Sequence, residues 1–516
     1  MDLVSTSGRP NETHMTDSHA QRTGNIPPGR SAAGRELRMV FAALMMVLIL
    51  GSLDQSIVNT ALPRMTSELG GMAHISWVVM AFLLATTVST PIYGKLSDMY
   101  GRRRLLIVSI SIFLLASTLC GVAQTMPQLI LFRGLQGLGA GGLVTLTQTT
   151  IGDLVGPRGR GRYQGLFTGA IAISSVAGPV LGGILTTTLS WRWVFYVNLP
   201  IGAVALALIM RGLHHKPPVT SHKVDFLGAA LLTGATVSTL LILNWAGSVM
   251  PWASGSSLGL IALAIGLFAL FFLQERHATE PLIHLSMFRI RSFVIGVSIS
   301  GCMAFAMTGA TVFMPLYFQL VLGLDPARAG LMLVPQIAVM IVTSIAGGQL
   351  SSRTGLVKPF MMLGVGCEAA ALVGCATLAW AGAGIPAFLV ALGVLGFGMG
   401  MGMPNATVVI QNAVPRAHLG VATATMGFIR SFGGVLGVAV SGGAMAAQLG
   451  HYVDSSSAGR GIVMIKAMVA PARETMIEAY RHAIAVSFSI GGGVMVVAFL
   501  LVLTLGAVRM DEEKQL

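Results

Sequence analysis

The sequence predicts an all-α polytopic membrane protein, and three observations predict it. First, 54% of the 516 residues are hydrophobic and only 10% are charged, where a soluble domain carries about 25% charged residues. Mean hydropathy is +0.78. A chain this apolar cannot cover a water-facing surface, which excludes an ordinary soluble enzyme and a disordered chain. Second, the chain holds fourteen apolar runs, most near the roughly 20 residues that a helix needs to cross a bilayer. Third, with the N-terminus on one side, 23 Lys and Arg fall there and 7 on the other. That asymmetry places both termini in the cytoplasm of a cell (inner or plasma) membrane protein. The net charge of +13 belongs to those loops, so no nucleic-acid partner is expected.

The elements follow in order. Residues 1–38 are polar and lack the apolar core and small-residue cleavage site of a signal peptide, so they read as a cytoplasmic tail. The Asn11 sequon carries no meaning on that side. Spans are expected near 39–62, 76–94, 105–123, 128–152, 163–187, 194–211, 226–245, 257–274, 292–321, 329–350, 359–380, 385–412, 419–447 and 483–508. The ninth, at 30 residues, must tilt, bend or project, and Gly309 and Pro315 can supply a bend. Trp191, Trp193, Trp245 and Trp252 fall at outer span ends, where an aromatic belt belongs. The outer loop 448–482 is expected to form a surface helix around Arg473 to Arg481, and 509–516 a second cytoplasmic tail. Cys120, Cys302, Cys367 and Cys375 all sit in apolar runs, so neither disulfides nor a metal site is expected.

The chain repeats itself. Gly94-Lys95-Leu96-Ser97-Asp98-Met99-Tyr100-Gly101-Arg102-Arg103-Arg104 follows span two, and Gly348-Gln349-Leu350-Ser351-Ser352-Arg353-Thr354-Gly355 follows span ten, 254 residues later. Pro157-Arg158 and Gly169 recur 258 residues on as Pro415-Arg416 and Gly427. Spans 1–6 therefore echo spans 9–14 in the same direction, and spans 7 and 8 have no counterpart. Parallel six-span repeats describe a transporter whose halves rock about a central site. The expected domains are 39–215 and 281–508, two six-helix bundles, with 216–280 holding two inserted helices.

These residues resemble the major facilitator superfamily. The loop Gly94 to Arg104 is similar to its signature between spans two and three, and Arg133-Gly134-Leu135-Gln136-Gly137 to its span-four motif. Gly169 with Gly178-Pro179-Val180-Leu181-Gly182-Gly183 resembles the span-five antiporter motif. Leu53-Asp54-Gln55 through Asn59 to Pro63, and Trp191-Arg192-Trp193 through Asn198 to Gly202, resemble the fourteen-span drug:proton antiporters of the EmrB/QacA type. The resemblance implies the major facilitator fold and proton-driven efflux of hydrophobic, often cationic compounds. The partners are then a lipophilic small molecule, protons and the bilayer. No cofactor is implied. A periplasmic adaptor is a further candidate partner to which no residue points.

The charges inside spans are Asp54, Arg133, Glu368 and Arg430, with Asp153 near an inner end. A charge at a helix centre costs about 2.5–3.5 kcal/mol on insertion scales, which makes each a functional candidate. Asp54 lies about 13 Å from the outer end of span one and Arg133 about 9 Å from that of span four, at 1.5 Å per residue. Asp54 is the candidate proton carrier and Arg133 its modulator; a static ion pair is the alternative. Gln55, Asn59, Gln136, Glu368 and Arg430 are candidates to line the substrate cavity. Glu368 reads as a second proton or cation site, or as a partnered structural carboxylate. Met399, Met401 and Met403 are weaker substrate-contact candidates. Gly94, Asp98, Gly101, Arg102 and Arg103 read as a conformational hinge, with Gly94 and Gly101 for turns and close approach. Asp98 is placed to accept from a helix N-terminus or a cation. The rival, phosphate binding, lacks a GxxxxGK[ST] motif, and ATP drive is unsupported for the same reason. Gly134, Gly137 and Gly141, like Gly169, Gly178, Gly182 and Gly183, suit close helix packing, and Pro179 adds a kink. Ser352 replaces Asp98 in the second repeat, so the charge contact there is expected to weaken. An importer or facilitator of a polar solute, an exporter of an endogenous metabolite, and a membrane-bound enzyme or sensor are the rival functions. The polar stretches are too short for a catalytic domain.

Overall fold

The computed structural model describes residues 30–70, 74–213, 225–245, 250–251, 254–449 and 470–506. The Asn11 sequon, Trp252, most of the expected tails and much of the outer loop lie outside the described residues. Among the described residues, fourteen helices are long and apolar enough to cross a membrane. They are α1 Arg30–Leu69, α2 Ile75–Tyr100, α3 Arg102–Val122, α4 Met126–Leu154, α5 Pro157–Thr188, α6 Asn198–Gly212 and α7 Phe226–Trp245, with a short turn Trp193–Tyr196 leading into α6. The remainder are α8 Gly255–His277, α9 Arg291–Leu320, α10 Val334–Thr354, α11 Lys358–Trp380, α12 Ile385–Asn412, α13 Leu419–Leu449 and α14 Ala470–Thr504. In a bilayer core every backbone N–H and C=O must bond within its own segment, which is why the apolar runs are helical; the sixth is interrupted at Val197 and the tenth at Met332 and Leu333.

Local chemistry fixes the ends. Thr125 accepts from the N–H of Gln128 at the start of α4, with Pro127 in the first turn, and Ser254 does the same for Ser257 in α8. Three expectations are corrected. The last residues of the polar tail already belong to α1. The segment around Arg473 to Arg481 forms the first turns of α14 and not a separate surface helix. The Gly94–Arg104 loop is helix on both sides of a single residue, Gly101, whose φ of +90° only glycine adopts readily.

Packing repeats as the sequence does. Within one half α4 packs on α2 and α3, α1 on α5 and α6, and α3 on α6. Within the other, α12 packs on α10 and α11, α9 on α13 and α14, and α11 on α14. The halves meet at two equivalent seams, α2 against α13 and α5 against α10. The inserted α7 and α8 pack on each other, and α7 touches both α2 and α13. Trp77 of α2 meets Trp245 of α7 edge-on at 5.8 Å, and Phe268 of α8 meets Phe432 of α13 at 6.4 Å.

Glycine makes both seams tight at the end bearing Arg102 to Arg104, the basic end. A Cβ on Gly94 would lie 2.3 Å from Ala424 Cβ and 2.8 Å from Gly420 O. A Cβ on its repeat equivalent, Gly348, would lie 2.2 Å from Gly161 O. Gly94 therefore serves close approach, and Gly101 alone serves the turn. Among the described residues, hydrogen bonds between the halves gather at this end. The Asp98 carboxylate accepts from the N–H groups of Gly420 (3.1 Å) and Val421 (2.9 Å). Arg102 holds Asp98 from behind and also pairs with Asp153 at 3.0 Å, while Arg103 donates to Met210 O. Lys95 pairs with Glu280 at 2.6 Å. Arg160 donates to Gln411 O at 2.9 Å and to Asn412 Oδ1 at 2.6 Å. Towards the other end the α5–α10 seam parts into an apolar cleft of about 500 Å³, lined by residues such as Val176, Val180, Ile337 and Ile341.

Between α8 and α9, His284 meets His418 with ring centroids 4.4 Å apart and the rings tilted by 46°. Burial first, then His418 and Lys95, lower its pKa from 6.5 to about 4, against the opposing pull of Glu280. The folded state thus favours neutral His284, and the stability this gives is lost as pH falls from 6.5 towards 4. His284→Phe is expected to flatten the fall in thermal stability across that range relative to wild type. Gly94→Val is expected to cost about 1–3 kcal/mol by overpacking, whereas Gly183→Ala, whose Cβ meets nothing within 4 Å, should leave thermal unfolding unchanged.

Candidate ion-pair site in the first bundle

Asp54 and Arg133 meet. Asp54 comes from α1, and Arg133 and Gln136, three residues apart on one helical face, come from α4. Arg133 Nη1 donates to Asp54 Oδ2 at 2.7 Å and to Gln136 Oε1 at 2.7 Å. Asp54 Oδ1 accepts from Gln136 Nε2 at 2.8 Å and from Asn198 Nδ2, at the start of α6, at 2.7 Å. Gln136 and Asn198 also donate to Ser117 Oγ of α3, at 3.2 and 3.0 Å, and the Ser117 hydroxyl donates to Phe195 O at 2.9 Å. The guanidinium lies 4.1 Å from the Phe82 ring centroid, and its Nε donates to Val78 O at 3.4 Å. Asp54 is 0% exposed and Arg133 1%. A charge so deeply buried is tolerated only when paired and hydrogen-bonded, and here both carboxylate oxygens are engaged.

The expected cavity set divides. Gln136 is buried on the ion pair and lines no cavity, because Asp54 claims its amide. Asp54 and Arg133 likewise point into the bundle among α1, α2, α3, α4 and α6, and not toward the space between the halves. Gln55 and Asn59 are exposed on the other side of α1. Glu368 is sealed (1% exposed) against Gly398, Gly402 and Met303, and its Oε1 has no partner among the described residues, which corrects the reading of a partnered carboxylate. Arg430 is half-buried, donating to Thr407 Oγ1 at 2.9 Å and Met403 O at 3.5 Å. Met399 and Met401 are each 4% exposed and pack on α10, so of the three methionines only Met403 is partly open.

The span-five glycines also divide. A Cβ on Gly178 or Gly182 would strike Ser56 or Ile57 O of α1, at 2.3 and 2.8 Å, while Gly169 has ordinary room beside Ser344, and Gly134, like Gly183, meets nothing. Pro179 lacks an N–H, which frees the carbonyl four residues back. Ser56 Oγ donates to that carbonyl, Ser175 O, at 3.3 Å. Trp191 is 0% exposed and not in the aromatic belt, because its Nε1–H is held by Glu68 at 2.8 Å; Trp193 is 47% exposed.

Asn198, Ser117, Arg160 and Glu280 were not singled out from sequence. The signal for Asn198 was an amide just before an apolar run, and the others are ordinary loop or span polar residues. Among the described residues no three His, Cys, Asp or Glu gather as metal ligands would.

Arg133→Met leaves Asp54 buried without its cation and is expected to cost about 3–5 kcal/mol. The double variant with Asp54→Leu should recover much of that loss in thermal unfolding.

The profile of the Major Facilitator Superfamily matches residues 44–438 of the chain. The multidrug transporter protein MdtP of Bacillus subtilis is 36% identical over 413 residues, covering 80% of this chain and 76% of that protein. Multidrug resistance protein 3 of the same organism is 34% identical over 410 residues, covering 78% and 79%. The proton:xylose symporter XylE bound to 6-bromo-6-deoxy-D-glucose is similar in structure, with a TM-score of 0.61, 15% identity and coverage of 93% of this chain and 98% of that one.

Proposed function

The chain belongs to the Major Facilitator Superfamily, and we propose that it is a proton-coupled exporter of hydrophobic compounds of the fourteen-span EmrB/QacA type. It is a multi-pass membrane transporter of small molecules. The multidrug relatives support export, and the buried pair of Asp54 and Arg133 is the observation that carries the coupling. A proton placed on Asp54 cancels the charge that holds Arg133, Gln136 and Asn198 around it. Four helices then lose their common anchor at once. Release of the proton restores it. Arg133 stays charged throughout and so returns the carboxylate to its ionised form.

The loop charges support a cytoplasmic basic end and cytoplasmic termini. With the halves zipped there and parted along the α5–α10 seam, the protein stands open to the outside. The inward-open state requires Asp98 to leave the first turn of α13, Arg160 to leave Gln411, and the cleft between α5 and α10 to close. Gly94 and Gly348, at equivalent positions of the two seams, are the contacts about which the halves rock. The cargo class takes in hydrophobic cations as well as neutral compounds; of the two described carboxylates at mid-span, Asp54 is engaged on both oxygens and Glu368 is sealed, so aromatic and apolar walls would hold such a cation.

The test is efflux of ethidium and of Nile red from proteoliposomes with an imposed proton gradient. Wild-type efflux is expected to collapse with a protonophore and to fall at least tenfold in Asp54→Asn. Gradient-driven efflux that survives Asp54→Asn would remove the proton role of that residue; no efflux of either dye from folded protein would remove the export of hydrophobic compounds.

A further inference from the structure

The second bundle holds a cation that no carboxylate among the described residues neutralises. Arg430 donates through Nη2 to two neutral oxygens, Thr407 Oγ1 and Met403 O. Its Nε is buried and donates to nothing, and among the described residues no carboxylate lies within ion-pair distance of it. This is the opposite of Arg133, whose guanidinium is paired with Asp54 at 2.7 Å. The guanidinium is a permanent cation with a planar array of donors that matches a carboxylate, sulfonate or phosphate. Left without an anion at this depth it is costly, which marks it as waiting for one.

Its placement says where the anion comes from. Along α13, Gly433 and Gly437 pack on α9, at backbone distances that leave no room for a Cβ, while Gly420 packs on α2 of the other half. Arg430 stands on the side of α13 between those two contacts, one turn from Gly427, whose Cβ would meet Thr90 of α2 and Thr145 of α4 in the other half. From there it reaches across to α12, which α13 otherwise touches little. The residue is half-buried and not sealed. Met403, the partly open methionine, lies beside it as a pliable apolar wall.

We propose that Arg430 is a cargo-binding residue that takes the acidic group of an amphipathic organic anion, whose apolar body rests along the methionine and aliphatic side chains around it. The cargo class is thus a hydrophobic acid. This rests on the exporter reading only in treating the bound molecule as cargo.

The experiment is a binding comparison with the full chain in nanodiscs, so it does not depend on transport or coupling. The probes are 1-anilinonaphthalene-8-sulfonate and N-phenyl-1-naphthylamine, which share one ring system and differ by the sulfonate. Binding to empty nanodiscs is subtracted. Wild type is expected to bind the sulfonate at least tenfold more tightly than the neutral amine. Arg430→Gln should remove that ratio, Arg430→Lys should keep it within about threefold, and Arg328→Gln, which removes an exposed guanidinium paired with Asp325, should leave it unchanged. A wild type with no sulfonate-dependent binding overturns the proposal, and so does a ratio that persists in Arg430→Gln. If Arg430→Gln fails to fold, the wild-type ratio decides. Failure of the dye efflux with the ratio intact would sink the exporter reading and leave the anion site standing.

Discussion

A buried carboxylate that must be satisfied on every side organises the first half of this protein. Asp54 draws one donor from α4 as a cation, another from α4 as an amide, and a third from α6. Ser117 of α3 then ties the two amides together. The low dielectric makes each bond stronger and makes the loss of any one expensive. Helices that share only apolar contacts in lipid have little to fix their register; these four have a single polar point on which they agree. Among its described residues the second half shows no such point: its repeat-equivalent helices meet at glycines, and its mid-span charges, Glu368 and Arg430, form no ion pair.

The fold was legible because lipid removes alternatives. Fourteen apolar runs became fourteen helices, and the offset between the two glycine-rich loops became two seams of equivalent packing. Boundaries were read less well where polarity misled. The polar residues before Met39 enter α1, and Arg473 to Arg481 enter α14, because a helix once nucleated in the membrane extends into water at little cost. Gly94 to Arg104 looked like a loop from its glycines, yet one of them turns the chain and the other admits a neighbouring helix.

The candidate site was legible in part. Depth arithmetic brought Asp54 and Arg133 to one level, since helical rise is regular. Which way each side chain points was not legible, because orientation depends on tertiary neighbours. Gln136 shares a face with Arg133 and so follows it inward, away from the cavity. Asn198 escaped notice because an uncharged amide near a span end resembles any other. Trp191 looked like a membrane anchor until Glu68 claimed its indole N–H.

The inserted pair α7 and α8 lies along one seam only. α7 bridges α2 and α13, and Phe268 of α8 leans on Phe432, while among the described residues no inserted helix covers the α5–α10 seam. The two flanks of the molecule are therefore mechanically unequal. One behaves like the spine of a book, with a binding glued across it. The other is the fore-edge, where the pages separate furthest. That edge is lined with apolar side chains such as Val176, Val180, Ile337 and Ile341, so the flank that separates uncovers almost no polar surface as it opens.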